Sequence, residues 1–424
     1  MSSATAPARA SSRDTSRLGG WLARFDSPVT TYYLLVCVTV ALVAFGLIMV
    51  LSASAIVSID ATKGRSAYTI FLSQAMFAAL GAVVLVIASR LRTGVWKRLA
   101  LPILVVGFLL QLLVLSPLGH AAGGNQNWIR IGPVTVQPSE IMKVGLVLTG
   151  ALILAAKRKH LHAFSHVVVP YLVPLAAFSI GAVALGHDLG TVLILGAIVA
   201  GVLFAAGIPL RWFAFAGIPF VAMALAFVVT SKNRLDRFDV WLGRDTNEFG
   251  AARQPIHGRY ALADGGWFGL GLGASREKWL LLSEPHNDFI FAIIGEELGL
   301  PGTIAILLLF AGLALACYRL VTRTGDLFVR IATAGIMTWL VVQALINIGA
   351  VIGLLPVIGV PLPLVSSGGS SLVTSLFALG ILLSFARAEP GCAEALSARP
   401  SALRRSLAVI PGTRRTRRTR RTPS

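Results

Sequence analysis

Long apolar runs separated by short polar connections dominate the chain. Ten of them approach or reach the roughly 20 residues that a helix needs to cross a bilayer core. They lie at 32–51, 69–89, 99–118, 141–156, 167–185, 189–206, 212–230, 289–318, 331–354 and 364–386. Backbone groups in hydrocarbon must hydrogen-bond within their own segment, so each run is expected to be helical. The eighth is long enough to tilt or to project past the bilayer. The pattern predicts an all-α polytopic membrane protein of about ten transmembrane helices. It divides the chain into a polar tail at 1–31, a membrane domain at 32–386 and a basic tail at 387–424, with one large connection at 231–287.

Composition narrows the class. The chain is 56% hydrophobic and only 13% charged, against about a quarter charged in soluble domains. That excludes a disordered protein, a secreted disulfide scaffold and an ordinary cytosolic enzyme. Cys37, Cys317 and Cys392 are far apart and form no C-x-x-C pair, so neither a zinc site nor a disulfide framework is readable. The net charge of +19 fits either a nucleic-acid partner or basic loops on a membrane protein. Placement of the charges decides. With the N-terminus inside, 25 of the 37 Lys and Arg fall on inside segments, and the short outside connections hold only Lys63, Arg65 and Arg130. Positive charge on short loops stays cytoplasmic. Both termini are therefore expected in the cytosol and the 231–287 loop outside, and no nucleic-acid partner is expected. Ala53-Ser54-Ala55 imitates a signal-peptidase site, but the long run before it fits an uncleaved first helix.

Ionisable residues inside spans are expensive and mark functional candidates. Glu140 and Lys143 enter span four, Asp188 enters span six, and Asp288, Glu296 and Glu297 belong to span eight. Most sit at outer helix ends, beside the large loop and its aromatics (Phe238, Trp241, Phe249, Tyr260, Trp267, Phe268 and Trp279). That loop reads as a folded or membrane-skimming element, and a site is expected between it and the helix ends. Glu140 and Lys143 share a helix face; they either neutralise each other or leave Lys143 to hold an anion or a second carboxylate. Asp288 either caps span eight or does chemistry. Ala292, Gly295 and Gly299 fall near its face and leave room for a neighbouring helix or a groove. The two glutamates read as structural anchors. His160, His162 and His166 read as a solvated face, and Gly269-Leu270-Gly271-Leu272-Gly273 lacks the context of a nucleotide loop. Ser366, Ser367, Gly368, Gly369 and Ser370 open span ten with amides that either attract an anion such as phosphate or permit a close helix crossing. The Arg-rich repeat at 414–421 reads as a solvated run able to bind anionic lipid.

Five segments go further: LIMVLSAS at 47–54, WIRIGPVTVQPSEIMK at 128–143, DLGT at 188–191, PHNDFIFAIIGEELG at 285–299 and NIGAVIGLLPVIGVPLPLVSSGGSSL at 347–372. On these the chain resembles the SEDS family (shape, elongation, division and sporulation), most closely its FtsW branch. The resemblance implies a peptidoglycan glycosyltransferase that polymerises lipid II into a nascent glycan strand outside the bacterial cytoplasmic membrane. It places the essential aspartate at Asp288 and sets Lys143, with Glu140, close to it. It also implies a single-span class B penicillin-binding transpeptidase and divisome proteins as partners, at the division septum. Gly186-His187 before Asp188 and Ser283-Glu284-Pro285 before His286 depart from the family pattern. In the implied reaction Asp288 serves as general base. Lys143, Arg259, Arg276, Lys278 or a divalent cation stabilises the departing polyprenyl pyrophosphate, and the anomeric centre inverts. A lipid II flippase, favoured by Glu296 and Glu297 at membrane depth, and a RodA-like elongation polymerase are the competing readings.

Overall fold

A computed structural model describes residues 27–398, except Pro28, Gly123, Gly124, Pro133, His162, Glu248, Phe249 and Leu280. Residues 1–26 and 399–424, the latter with the Arg-rich repeat, and the readings made on His162 and Phe249 lie outside the described residues.

Every predicted run contains a helix. In chain order they are α1 (Thr30–Ala61), α2 (Thr69–Arg90), α3 (Thr93–Val114) and α4 (Pro138–Ala156). Next comes α5, which starts as Phe164–Val167, turns π-helical over Val168–Ala177 and ends as Phe178–Leu185. Pro170 and Pro174 remove two donors from an α-ladder at that place. Then follow α6 (Leu189–Ala205), α7 (Leu210–Val229), α8 (Lys232–Trp241), α9 (Arg253–Gly265), α10 (Ile290–Arg323), α11 (Leu327–Val351), α12 (Gly369–Arg387) and the short α13 (Cys392–Ala398). Eight of these helices are long and apolar enough to cross a membrane, and two shorter apolar helices occupy the fifth and sixth runs. The chain is an all-α, multi-pass membrane protein. Ala53-Ser54-Ala55 lies inside α1.

Some boundaries depart from the hydropathy pattern. Helix α3 begins at Thr93 rather than at 99, because its polar first turns find partners: Lys97 Nζ lies 2.7 Å from Asp326 Oδ2. The tenth run was expected from 364, yet α12 starts only at Gly369. Pro356, Pro361 and Pro363 keep residues 352–368 irregular, although Leu362, Leu364 and Val365 are buried. A three-stranded antiparallel sheet, absent from the sequence reading, joins α3 to α4. It comprises β1 (Gly119–Ala122), β2 (Asn125–Ile131) and β3 (Val134–Val136).

Helices α4, α11 and α12 form the interior, with 72%, 67% and 72% of their apolar stretches buried, whereas α7 has 6% buried and lies at the periphery. Small residues allow close helix approach, as in other membrane bundles: a Cβ on Gly145 of α4 would come within 2.4 Å of the Leu104 backbone on α3.

The 231–287 loop is folded, carrying α8 and α9. Its last part straps onto a break in α10 at Gly299 (φ 66°, ψ −156°). There Leu270 N and Gly271 N donate to the carbonyls of Glu296 and Glu297, and Leu300 N donates to Gly266 O. A Cβ at Gly299 would meet Gly269 N at 2.4 Å. The glycine-rich segment is thus a strap pressed backbone to backbone against the broken helix.

Candidate functional site

Asp288 precedes α10, whose N-cap is Phe289. It makes no capping bond, so the helix-cap reading of Asp288 does not hold. Instead its backbone is held on consecutive carbonyls. Ser367 N donates to His286 O at 2.9 Å, Ser366 Oγ to Asn287 O at 2.7 Å and Asn347 Nδ2 to Asp288 O at 2.8 Å. The carboxylate itself accepts no hydrogen bond among the described residues. It faces a cavity of about 10 Å³, lined by Phe289, Asn347, Ala350, Val357 and Val360 among others, room for about one water. Burial pushes the Asp288 pKa up to about 6, reinforced by Glu284 and Asp188 and opposed by Arg237. The small stripe Ala292–Gly295–Gly299 is occupied by protein: Gly265 of α9 presses on the Gly295 carbonyl.

Lys143 and Glu140 are both buried and paired at 2.9 Å. Glu140 Oε2 also accepts from Thr374 Oγ1 at 3.2 Å. Lys143 Nζ donates to Gln343 Oε1 at 3.3 Å and lies 4.7 Å from the Trp339 ring centroid. Self-neutralisation is therefore the arrangement seen, and Lys143 makes no bond to the Asp288 carboxylate. The two are linked through α11: Gln343 Nε2 donates to Pro361 O, and Asn347, one turn on, donates to Val360 O and Asp288 O.

The other cations proposed for the leaving group have different occupations. Lys278 is buried and ion-paired with Glu297 at 3.0 Å, while also donating to Gly273 O at 2.7 Å. Arg276 is exposed and its backbone N–H binds Glu296 Oε1 at 2.6 Å. Arg259 is exposed, with Nε donating to Pro255 O at 3.3 Å and its side chain near Gly353. Glu296 and Glu297 are the structural anchors expected. Glu296 accepts from Ser275 Oγ at 2.5 Å, tying α10 to the outer loop, and Glu297 from Ser52 Oγ at 2.7 Å, fastening α10 to α1.

The turn before α12 is likewise spent internally. Ser366 Oγ accepts from Leu362 N at 2.8 Å; Ser366 O and Gly368 N bond the Gln74 amide of α2. Gly369 packs against the Phe77 ring, and Ser370 Oγ accepts from Gln137 N at 3.4 Å. Close packing, not an open anion site, explains this Ser-Gly run. Among the described residues no three His, Cys, Asp or Glu side chains converge on a metal cage.

A family model described as "Cell cycle protein", covering FtsW, RodA and SpoVE, matches residues 32–390. The chain belongs to the FtsW/RodA/SpoVE family. It is 39% identical over 389 residues to the probable peptidoglycan glycosyltransferase FtsW of Mycobacterium tuberculosis (strain ATCC 25618 / H37Rv), covering 92% of this chain and 73% of that protein. It is 36% identical over 356 residues to the stage V sporulation protein E of Bacillus subtilis (strain 168), covering 84% and 96%. Among solved structures it resembles a chain from a study titled "Structural coordination of polymerization and crosslinking by a peptidoglycan synthase complex". The TM-score is 0.66 at 25% identity, over 83% of this chain and 96% of that one. The rod shape determining protein RodA of Thermus thermophilus matches with TM-score 0.61 at 25% identity, over 84% and 96%.

In this FtsW/RodA/SpoVE member the sequence reading missed two cations at the rim beside the Asp288 cavity, of which Arg237 acts on the Asp288 carboxylate. Arg234 and Arg237 of α8 line a second, open cavity of about 120 Å³ with Asn125, His187, Ser231 and Asn233, and it shares Val357 and Ile358 with the Asp288 cavity. Their spacing of three, on a helix opening the outer loop, was the available signal. Asp188, at the same rim, caps α6 through Thr191 N at 3.0 Å and accepts from Asn127, Gln137 and the Thr191 hydroxyl.

Proposed function

We propose that the protein is a peptidoglycan glycosyltransferase that polymerises lipid II at the outer face of the cytoplasmic membrane, for septal wall synthesis. The observation that carries this is Asp288: a carboxylate that accepts no hydrogen bond among the described residues, on a turn pinned through consecutive carbonyls, with its pKa raised to about 6. A general base needs that combination, since it must be ionised yet avid for a proton near neutral pH. The acceptor sugar hydroxyl gives its proton to Asp288 as its oxygen bonds to the anomeric carbon. The bond from that carbon to the diphosphate breaks, and its electron pair leaves with the polyprenyl diphosphate. Attack opposite the leaving group inverts the centre.

Similarity to proteins named peptidoglycan glycosyltransferase FtsW favours the septal over the elongation duty. Similarity to a chain of a peptidoglycan synthase complex favours a penicillin-binding transpeptidase as partner. The flippase reading rested on Glu296 and Glu297; both are bound by outer-loop residues, Ser275 and Lys278, so it loses its support. The proposed topology keeps ten spans with both termini cytoplasmic. The test is purified full-length protein, with its transpeptidase partner, given fluorescent lipid II. Glycan strands on a gel are expected; translocation without polymer, from folded protein, would overturn the proposal.

A further inference from the structure

Arg234 and Arg237 stand three residues apart on α8 and both line the 120 Å³ cavity at the outer rim. Arg234 is fixed by its surroundings. Its Nη1 donates to Phe227 O at 2.8 Å, its Nη2 to His187 O at 2.7 Å, and its guanidinium lies 4.9 Å from the Phe227 ring centroid. Arg237 makes one long bond, from Nη1 to Val357 O at 3.3 Å. Among the described residues neither guanidinium has a carboxylate at ion-pair distance. The acidic group of the same rim, Asp188, has its oxygens bonded by Asn127, Gln137 and Thr191. Two cations thus face one cavity with donors to spare.

The cavity also adjoins the catalytic carboxylate. Its wall, Val357 and Ile358, is shared with the Asp288 cavity. Gly359 comes next and has no side chain: a Cβ built there would lie 3.6 Å from Asp288 Oδ2 and 4.0 Å from Arg237 Nη1. Carboxylate and guanidinium therefore look at each other across a bare backbone, without forming an ion pair.

We propose that the Arg234/Arg237 cavity is the diphosphate subsite, holding the phosphates of the polyprenyl-linked sugar so that its anomeric bond lies across Gly359 between Arg237 and Asp288. This rests on the polymerase reading above and adds to it the place of the leaving group. A guanidinium presents a planar fork of donors that matches phosphate oxygens. Charge developing on the departing diphosphate would meet donors already in position, which is where electrostatic stabilisation acts in a transition state. Arg234 supplies a fixed wall of the subsite and Arg237 the cation nearest the reacting bond.

The test uses full-length protein in nanodiscs of zwitterionic lipid and measures strand synthesis against lipid II concentration. Polyprenyl diphosphate, polyprenyl monophosphate and phosphatidylglycerol are added in separate arms. Arg237→Gln, at thermal stability matched to wild type, is expected to lower kcat/KM at least tenfold and to weaken inhibition by polyprenyl diphosphate by a similar factor. Arg237→Lys should recover part of both, because it restores charge without the fork. Arg234→Gln should act in the same direction, but it also removes two carbonyl contacts, so Arg237 is the deciding position. Unchanged inhibition by polyprenyl diphosphate in Arg237→Gln overturns the subsite. Phosphatidylglycerol competing as well as the diphosphate would also overturn it, and would make the cavity a phospholipid headgroup site. Direct binding of fluorescent polyprenyl diphosphate separates this inference from the reading beneath it. If wild type makes no strands yet binds the diphosphate, and Arg237→Gln does not, the polymerase reading falls and the subsite stands.

Discussion

Replacing Asp288 by Asn keeps the carbonyl contacts that position the turn and removes only the charge. Strand synthesis should fall by about 10²–10⁴, the range for a lost general base. In wild type, kcat/KM should rise about tenfold per pH unit up to a bend near the pKa of about 6, then level off; a flat profile from pH 5 to 8 would remove Asp288 as the base. The same shift has a stability consequence. The folded-state pKa lies above the ordinary aspartate value of 3.8, so the native state holds this proton more tightly than the unfolded chain does. The group's contribution is full below that value and is lost as pH rises through about 6. At pH 7 the ionised carboxylate costs about 3 kcal/mol. Asp288→Asn should therefore melt higher than wild type at pH 7, and by less at pH 5, in detergent thermal scans. Lys143→Met works in the opposite direction: it leaves Glu140 buried and unpaired, a loss of about 3–5 kcal/mol. Adding Glu140→Gln should regain most of that stability in denaturant titrations.

Among the elements, α10 carries the site and the strap sets its course. Gly299 sits at φ 66° and ψ −156°, a conformation essentially confined to glycine, where any other residue costs about 1–3 kcal/mol. A methyl group there would also strike the Gly269 backbone. Gly299→Ala should lift the strap from the helix, seen as faster hydrogen exchange at Leu270 and Gly271, whose amides bond to α10 carbonyls. Unchanged protection there would refute the strap. Glu297→Gln strands the buried charge of Lys278, so it should lower thermal stability more than it lowers the rate per folded molecule. Sequence periodicity could not reveal this device. The kink reads as an ordinary apolar run with a Gly-Leu-Pro inside it, and the Gly-rich segment that covers it lies some thirty residues upstream.

At the scale of the whole molecule, reporter fusions at Lys159 should score cytoplasmic, and fusions at Lys63 and Asp245 external; reversal at any of the three would break the ten-span topology. The proposed topology is drawn from the sequence because bilayer crossing depends on run length and loop charge, and both are local properties of the chain. Asp288 was also legible, as an ionisable residue at the mouth of a span within a recognisable motif. The small sheet was not read from the sequence, because its strands are too short for periodicity to register. The partners of the charged residues were not legible at all. Lys278 is neutralised by Glu297 while Arg234 and Arg237 remain open to a cavity, and nothing in their local sequence distinguishes them. Apolar character on its own does not say which helices face inward: α7 is the more apolar of the two yet 6% buried, whereas α4 is 72% buried. Lipid tails solvate apolar side chains as well as protein does, so no hydrophobic gradient sorts inner from outer helices. The sequence by itself determined the apolar runs that become helices and the motifs that carry the family, and it singled out Asp288 as the candidate carboxylate. Close packing in three dimensions decided which cations stand beside that carboxylate, and which are already neutralised.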